Sequence, residues 1–357
     1  MPAAVRSPLH DLQERHGATF AEFAGGAWAD HFGDPPAEHH AVRTGVGVWD
    51  ISPLRIWEVR GPGAAAAVDR VFTNPVAGAE PGRIRYGALC DAAGAMINDG
   101  TVYVLGPERV WVITSLASDG EHLAAHVPGV APAGELAKLQ VQGPRSRELL
   151  AKLGAPVAGL EYFRVATEPV DVAGVACRLS RIGYSGELGY ELFCAPAAGE
   201  RLWTGLVEAG ARPYGFAAVE TLRIEAGLPL LGAEFVSRRT SPYDVSLDAV
   251  VRLDGRVVVG GEALAAVAAH PPRRLRALVL DGDAVPSRGA PVSLAGRSVG
   301  ALTSACASPT LGAVIGLAVL DAATADGERV EVGAERTGAV VRPVPLYDPA
   351  KARPRAS

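Results

Sequence analysis

Glu191 closes the stretch Arg181-Ile-Gly-Tyr-Ser-Gly-Glu-Leu-Gly-Tyr-Glu191, and Arg223 lies inside Glu220-Thr-Leu-Arg-Ile-Glu-Ala-Gly227. A carboxylate accepts two parallel N–H bonds, and a guanidinium donates from a rigid fork. With the first on a strand edge and the second on a neighbouring helix, the pair would fix a small polar heterocycle from two sides. Gly183, Gly186 and Gly189 allow positive φ and a close backbone approach, here toward something flat. Gly183-Tyr-Ser-Gly186 begins like a nucleophile elbow, but Glu187 stands where that motif needs glycine, which argues against acyl-enzyme chemistry. Glu187 itself reads as a solvated charge. A further carboxylate lies in Asn98-Asp99-Gly100, which taken alone is a hairpin-turn signal.

The elements that must carry these groups are legible in outline. Pro8 to Arg15 opens as a helix, followed by an aromatic, glycine-rich passage from Phe20 to Trp28. A short helix at Glu38-His-His-Ala-Val-Arg43 enters a strand over 46–51. Leu54-Arg-Ile-Trp-Glu-Val-Arg60 alternates as a strand does and is stopped by Gly61-Pro62-Gly63, with Pro62 placed for the first turn of a helix over 64–72. Strands over 83–90, 101–105 and 109–114 precede a helix around His122. Leu139-Gln-Val-Gln142, Gly143-Pro144 and a helix over 145–153 repeat the strand, Gly-Pro, helix order, which predicts α+β layers of the ferredoxin-like kind. Strands fill 170–195, and helices fill 198–210 and 214–227. Beyond about 275 the texture is of short strands with Gly, Pro and Asp turns, read as a small β-sandwich or barrel. His270-Pro-Pro-Arg273 marks the boundary, and residues 351–357 form a polar tail expected to fray.

Composition excludes several classes. The chain has 357 residues, enough for two or three domains, with 48% hydrophobic and 20% charged residues. Its net charge of −5 and its lack of basic runs argue against nucleic acid or an anionic membrane as partner. No apolar run is long enough for a transmembrane span, and no signal peptide is read at the N-terminus. Cys90, Cys177, Cys194 and Cys306 lack metal or redox spacing, and adjacent His39 and His40 do not share a face. No metal is therefore expected, and a reduced, cytoplasmic protein is.

Several passages, in order, resemble the glycine cleavage T-protein (aminomethyltransferase) family, which also holds dimethylsulfoniopropionate demethylase and folate-dependent O-demethylases. They are Gly47-Val-Trp-Asp-Ile-Ser52, Tyr86 with Ile97-Asn-Asp99, Val141-Gln-Gly-Pro144, Gly183-Tyr-Ser-Gly-Glu-Leu-Gly-Tyr-Glu191 and Thr221-Leu-Arg-Ile-Glu-Ala-Gly-Leu228. Thr240-Ser-Pro242, Val299-Gly-Ala-Leu-Thr-Ser304 and Ser308-Pro-Thr-Leu311 complete the series. The resemblance implies an α+β, three-domain cloverleaf with a C-terminal β-barrel or jelly-roll and tetrahydrofolate in a central hole walled by three lobes. Its domains would be 1–52 with 154–243 for folate, 53–153 with 244–272, and 273–350, followed by the tail.

By the same resemblance, Glu191 accepts from the pterin amino group and ring N–H, and Arg223 answers the pterin or fixes Glu191. Tyr86 and Tyr184 line the ring slot, Leu54 is an apolar contact, and Thr101 and Tyr103 complete the cofactor set. Asp99 is the catalytic carboxylate beside the reactive folate nitrogens. Trp49, Arg55 and Asn98 face the one-carbon donor. Pro53-Leu54 replaces the His-Met of glycine cleavage enzymes, and Asn98 replaces the first of their paired aspartates. Ala218-Val219-Glu220 and Thr303-Ser304-Ala305 also depart from their Ala-Arg-Asp and Thr-Ser-Gly. The Ile-Asn-Asp triplet, and Arg55 five residues after Val-Trp-Asp, are closer to the demethylase branch. The expected reaction is methyl transfer from a small O-, S- or N-methyl donor to N5 of tetrahydrofolate. The alternatives are aminomethyl transfer from a lipoylated carrier protein and a non-catalytic folate-binding module.

Overall fold

The computed structural model describes residues 4–356. An N-terminal helix α1 (His10–Arg15) and a hairpin of β1 (Thr19–Phe23) and β2 (Gly26–His31) lead into α2 (Pro35–Thr44). A seven-stranded sheet follows. Its path runs β10 (Arg164–Val165), β12 (Val175–Arg181), β13 (Gly189–Cys194), β9 (Ala137–Gln142), β3 (Gly47–Asp50) and β14 (Arg212–Pro213), with β11 (Val170–Val172) paired to β12. A five-stranded sheet is ordered β5 (Ile84–Cys90), β6 (Met96–Gly106), β7 (Arg109–Thr114), β4 (Arg55–Arg60) and β8 (Ala131–Pro132). The remaining helices are α3 (Ala64–Asp69), α4 (Asp119–His126), α5 (Ser146–Lys152), α6 (Pro196–Glu208), α7 (Phe216–Glu225) and α8 (Gly261–Ala268).

Strand alternation decides how these parts stack, because successive side chains point to opposite faces. Leu139, Val141, Leu179 and Leu192 turn one face of the large sheet toward Leu12 of α1, Leu149 of α5 and Leu202 of α6. Val102, Val104, Val110 and Val112 turn one face of the smaller sheet toward Val68 of α3 and Leu123 of α4. The opposite faces meet each other: Ile84, Tyr103, Trp111 and Ile113 pack against Val165, Ile182 and Phe193. The result is helix, sheet, sheet, helix. Because β9 and α5 join the large sheet, segment 137–153 sits with the first lobe and not with the second, where the sequence reading placed it.

The third lobe is a closed barrel of β15 (Arg273–Leu280), β18 (Ala313–Asp321), β17 (Arg297–Ser308), β16 (Pro291–Leu294), β19 (Arg329–Val332) and β20 (Thr337–Arg342). Ile224 of α7 packs against Leu275, Ile315 and Leu317 of this barrel. The C-terminal tail, expected to fray, is instead docked. Arg181 Nη2 donates to the carbonyls of Pro354 at 3.0 Å and Ala356 at 2.5 Å.

A buried ionic hub ties the lobes together. Arg43 of α2 donates to Glu225 Oε2 from Nε at 2.8 Å and Nη2 at 2.7 Å, and to Glu187 Oε1 from Nη1 at 3.0 Å. Glu225 also bonds His39 Nε2 at 3.0 Å and accepts from Ser308 Oγ of the barrel at 2.5 Å. Glu187, read from sequence as a solvated charge, is only 3% exposed and accepts from Tyr347 Oη at 2.5 Å. Burial pushes the Glu225 carboxyl up, but the His39 bond, the Arg43 charge and the Ser308 bond outweigh it and hold the group at about 2. A depressed acid stabilises the fold above its unfolded value, so this contribution is present above the ordinary 4.5 and is lost as pH falls through about 2. Glu225→Ala leaves Arg43 buried with Glu187 as its remaining carboxylate and takes the partner from His39 Nε2 and Ser308 Oγ. We expect it to cost about 3–5 kcal/mol in chemical denaturation, seen as a lower midpoint with unchanged slope.

Candidate active site

Between the two sheets lies a cavity of ≈ 230 Å³. Strand β6 crosses its wall, and because residues i, i+2 and i+4 share a face, Asp99, Thr101 and Tyr103 all point toward the large sheet. At about 3.3 Å per residue, Asp99 and Tyr103 are roughly 13 Å apart along the strand. Asp99 is therefore at one end of the wall, and Tyr103 is at the other.

At the Tyr103 end the large sheet supplies a cross-strand row. Ser180 pairs with Glu191, Glu191 with Gln140, and Gln140 with Trp49. Glu191 Oε2 accepts from Tyr103 Oη at 2.6 Å, and Oε1 accepts from Gln140 Nε2 at 2.7 Å. Burial raises its carboxyl above the ordinary range, while those two bonds pull it down and no arginine stands against it. Each carboxylate oxygen holds one donor and keeps acceptor capacity for a ligand. Gln140 Oε1 and Trp49 Nε1 are buried without partners. Both residues line the cavity.

At the other end, Asp99 Oδ2 accepts from Tyr86 Oη at 2.8 Å. Tyr86 lies opposite Thr101 in the β5–β6 ladder, so its hydroxyl reaches Asp99 along the diagonal. Burial pushes the Asp99 carboxyl up to about 6, against the lowering effect of Tyr86. Tyr184 donates from Oη to the Pro229 carbonyl at 2.6 Å. Phe23, Trp28, Trp49 and Phe216 form an aromatic wall with ring centroids 5.3–6.4 Å apart. Asp99 and Glu191 are the only charged side chains among the lining residues, and no lysine, arginine or histidine lines the cavity.

The structure brings Asp99, Glu191, Tyr86, Tyr184, Leu54, Thr101 and Trp49 to this one cavity. Five expectations are corrected, four of them residues and the fifth the number of lobes around the cavity. Arg223 neither lines it nor touches Glu191. It is 1% exposed and bonds Glu234 at 2.6 Å, Glu220 Oε2 at 2.8 Å and Ser304 Oγ at 2.6 Å, which joins α7 to the barrel. Tyr103 is one layer behind the ligand surface, fully buried, and holds Glu191. Asn98 faces the helix side of β6, and Arg55 also lies outside the lining, its Nε buried without a partner. The barrel contributes no lining residue, so the walls come from two lobes and the 228–231 connection.

The flat object admitted by the glycines is a side chain of the protein itself. A Cβ at Gly183 or Gly189 would stand 1.9 or 2.2 Å from the Gln142 amide. Sequence reasoning also passed over Gln140, Phe23, Trp28 and Phe216. Lys138, Gln140 and Gln142 alternating with Ala137, Leu139 and Val141 carried the signal for Gln140: one face apolar, the other polar.

The cavity suits a pterin. Such a ring presents an amino group and a ring N–H beside a carbonyl. Here the acceptor oxygens of Glu191 lie in one cross-strand row with Gln140 and Trp49, two lining residues whose Oε1 and Nε1 are buried without partners.

Comparisons with known proteins agree. Residues 9–255 match the GCVT N-terminal domain, and residues 273–348 match the glycine cleavage T-protein C-terminal barrel domain. A protein of Streptomyces avermitilis named aminomethyltransferase is 37% identical over 94% of each chain. One of the same name from Geobacillus kaustophilus is 35% identical over 97% of this chain and 99% of its own. The crystal structure of glycine cleavage system aminomethyltransferase T from Bartonella henselae matches with a TM-score of 0.90. At 24% identity, covering 97% of this chain and 99% of that one, it establishes the fold. These relatives favour the aminomethyl alternative over the small methyl donor that the sequence reading put first. The described residues include no helix long and apolar enough to cross a membrane. The chain belongs to the glycine cleavage T-protein family and is a tetrahydrofolate-dependent one-carbon transferase.

Proposed function

We propose that this enzyme takes a one-carbon unit from an aminomethyl group carried on a lipoylated protein and passes it to tetrahydrofolate. One observation carries the reading. A buried carboxylate, Asp99, bonded by Tyr86, shares an aromatic cavity with a second carboxylate, Glu191, each of whose oxygens holds one donor and keeps acceptor capacity. When bound, tetrahydrofolate supplies the nucleophilic nitrogens that receive the carbon. Glu191 and Gln140 would orient the ring edge, with Trp49 as the matching donor. Tyr86 holds one oxygen of Asp99 and leaves the other to hold or release a proton beside the reacting centre. A group titrating near the working pH is well suited to that exchange. The aromatic wall excludes water, which strengthens each of these contacts. An aminomethyl group is cationic, and a cavity whose only charges are two carboxylates favours it.

The test offers tetrahydrofolate with an aminomethyl-loaded lipoyl carrier protein, and separately with small O-, S- and N-methyl donors. We expect 5,10-methylenetetrahydrofolate and ammonia from the carrier. 5-Methyltetrahydrofolate from a small donor would replace this reading with demethylation. Tight folate binding without either product would leave a binding module.

A further inference from the structure

A second acid stands behind the catalytic wall. Asp119 opens α4, is fully buried and does not line the cavity. Its Oδ2 accepts from Asn98 Nδ2 at 2.7 Å and from the Leu116 backbone N–H at 3.1 Å. Asn98 Nδ2 also donates to Ser115 Oγ at 2.9 Å, and Asn98 Oδ1 accepts from the backbone N–H of Asp99 at 2.9 Å. Because an ionised carboxylate only accepts, Asp119 forces the amide nitrogen of Asn98 toward α4. The amide oxygen must then face Asp99. One chain of bonds thus crosses the sheet from the helix layer to the backbone of the residue that faces the ligand.

A residue kept only to fill space would not be built this way. The Thr114 hydroxyl stands beside Asp119, but the buried Oδ1 makes no hydrogen bond of ordinary geometry, and a poorly satisfied buried acceptor costs stability. An uncharged isostere would avoid that cost.

We propose that Asp119 is a positioning residue for the transfer reaction, fixing the backbone of Asp99 through Asn98. The inference rests on Asp99 acting at the reacting centre. Asp119 also places negative charge behind Asp99, which adds to burial in raising the Asp99 carboxyl. The other titratable groups facing Asp99 are Tyr86 from β5 and Tyr184 from the loop before β13. Around Asp119 itself are Asn98, Thr114 and the Leu116 N–H, with the positive charge of Arg238 beyond them.

The test follows the Asp99 carboxyl by carbon-13 NMR in full-length protein labelled at the aspartate carboxyls. It also measures tetrahydrofolate affinity and transfer rate. In Asp119→Asn the new amide can present either edge, so Asn98 loses its fixed orientation. We expect the Asp99 midpoint to move down from about 6 and folate affinity to stay within about twofold. The transfer rate should fall on the order of ten- to a hundredfold, with KM for folate unchanged. Exchanging the partners, as Asn98→Asp with Asp119→Asn, restores an acceptor for the Asp99 N–H and should recover most of the rate. A folded Asp119→Asn protein with unchanged midpoint and rate overturns the proposal. If that variant does not fold, the exchanged pair decides. Near-native rate supports the relay, and a lost rate in a folded protein overturns it. The titration and the folate affinity need no donor, so they test the relay even if the proposed donor is wrong.

Discussion

Asp99→Asn is expected to keep folate affinity within a few-fold of wild type while turnover falls by about 10²–10⁴. The amide oxygen still accepts from Tyr86, so the wall of the cavity keeps its shape. What disappears is the capacity to exchange a proton at the reacting centre. The same variant should melt at a higher temperature than wild type. Burial raises the Asp99 carboxyl from 3.8 to about 6, so the ionised form is disfavoured in the folded state. That penalty is absent below the unfolded value, grows as pH rises from 3.8 to about 6, and is complete above it. At about 1.4 kcal/mol per pKa unit, removing it gains at most on the order of 2–3 kcal/mol near neutral pH. Lost activity with gained stability is the signature of a strained functional group, whereas a structural aspartate would show the reverse. In the wild type, transfer should decline as pH falls through about 6, because the protonated form no longer accepts. Paired melting curves and single-turnover rates check all three. Unchanged turnover in the variant would remove Asp99 from the chemistry.

Much of this site was legible in the sequence, and the failures share a cause. Asn98-Asp99-Gly100 carries a strong turn signal, yet it lies inside β6. The chain reverses earlier, where Asp91 Oδ1 accepts from the N–H groups of Ala93 at 2.9 Å and Ala95 at 3.1 Å. Gly100 is required for another reason: a Cβ there would stand 2.4 Å from the Ile113 carbonyl of the neighbouring strand. Local propensity cannot see that partner. Arg223 failed in the same way. Its bond to Glu220 is visible as an i, i+3 helical pair, but Glu234 and Ser304 reach it only once the barrel has docked. Tyr103, expected in the cofactor set, faces the large sheet but lies one layer back, where it holds Glu191. Period-2 alternation gives the face of a side chain, and only the packing of the second sheet decides whether it touches ligand or supports a residue that does. The glycines of the Gly183–Gly189 stretch were read correctly as a close approach. Their partner, Gln142, lies more than forty residues earlier and is joined to them by sheet register.

Glu191→Gln is expected to weaken folate binding by on the order of 10²-fold or more, with a smaller fall in turnover once folate saturates. The loss exceeds that of one charge because one of the two acceptor oxygens of the row also becomes a donor. With Tyr103 Oη donating to the new amide oxygen, the new amide nitrogen faces Gln140 Nε2, donor against donor. Turned the other way, that nitrogen donates to Tyr103 Oη, which accepts it while donating to Ser180 Oγ. In the first arrangement Gln140 must turn over to offer its unpartnered oxygen, and in the second the Gln140 bond is kept. Either way one of the two acceptor oxygens that the edge offered to a pterin becomes a donor, and the ring's amino group and N–H lose a partner. The fold should not suffer. Burial already raises the Glu191 carboxyl, so a neutral residue removes a desolvation cost, and melting should stay level or rise. Calorimetric titration with tetrahydrofolate checks the affinity, and the same protein in a thermal scan checks the stability. If affinity were unchanged, the row Ser180, Glu191, Gln140, Trp49 would not be the surface that reads the ring. The ring would then have to be read by some other edge of the cavity that Asp99 also faces.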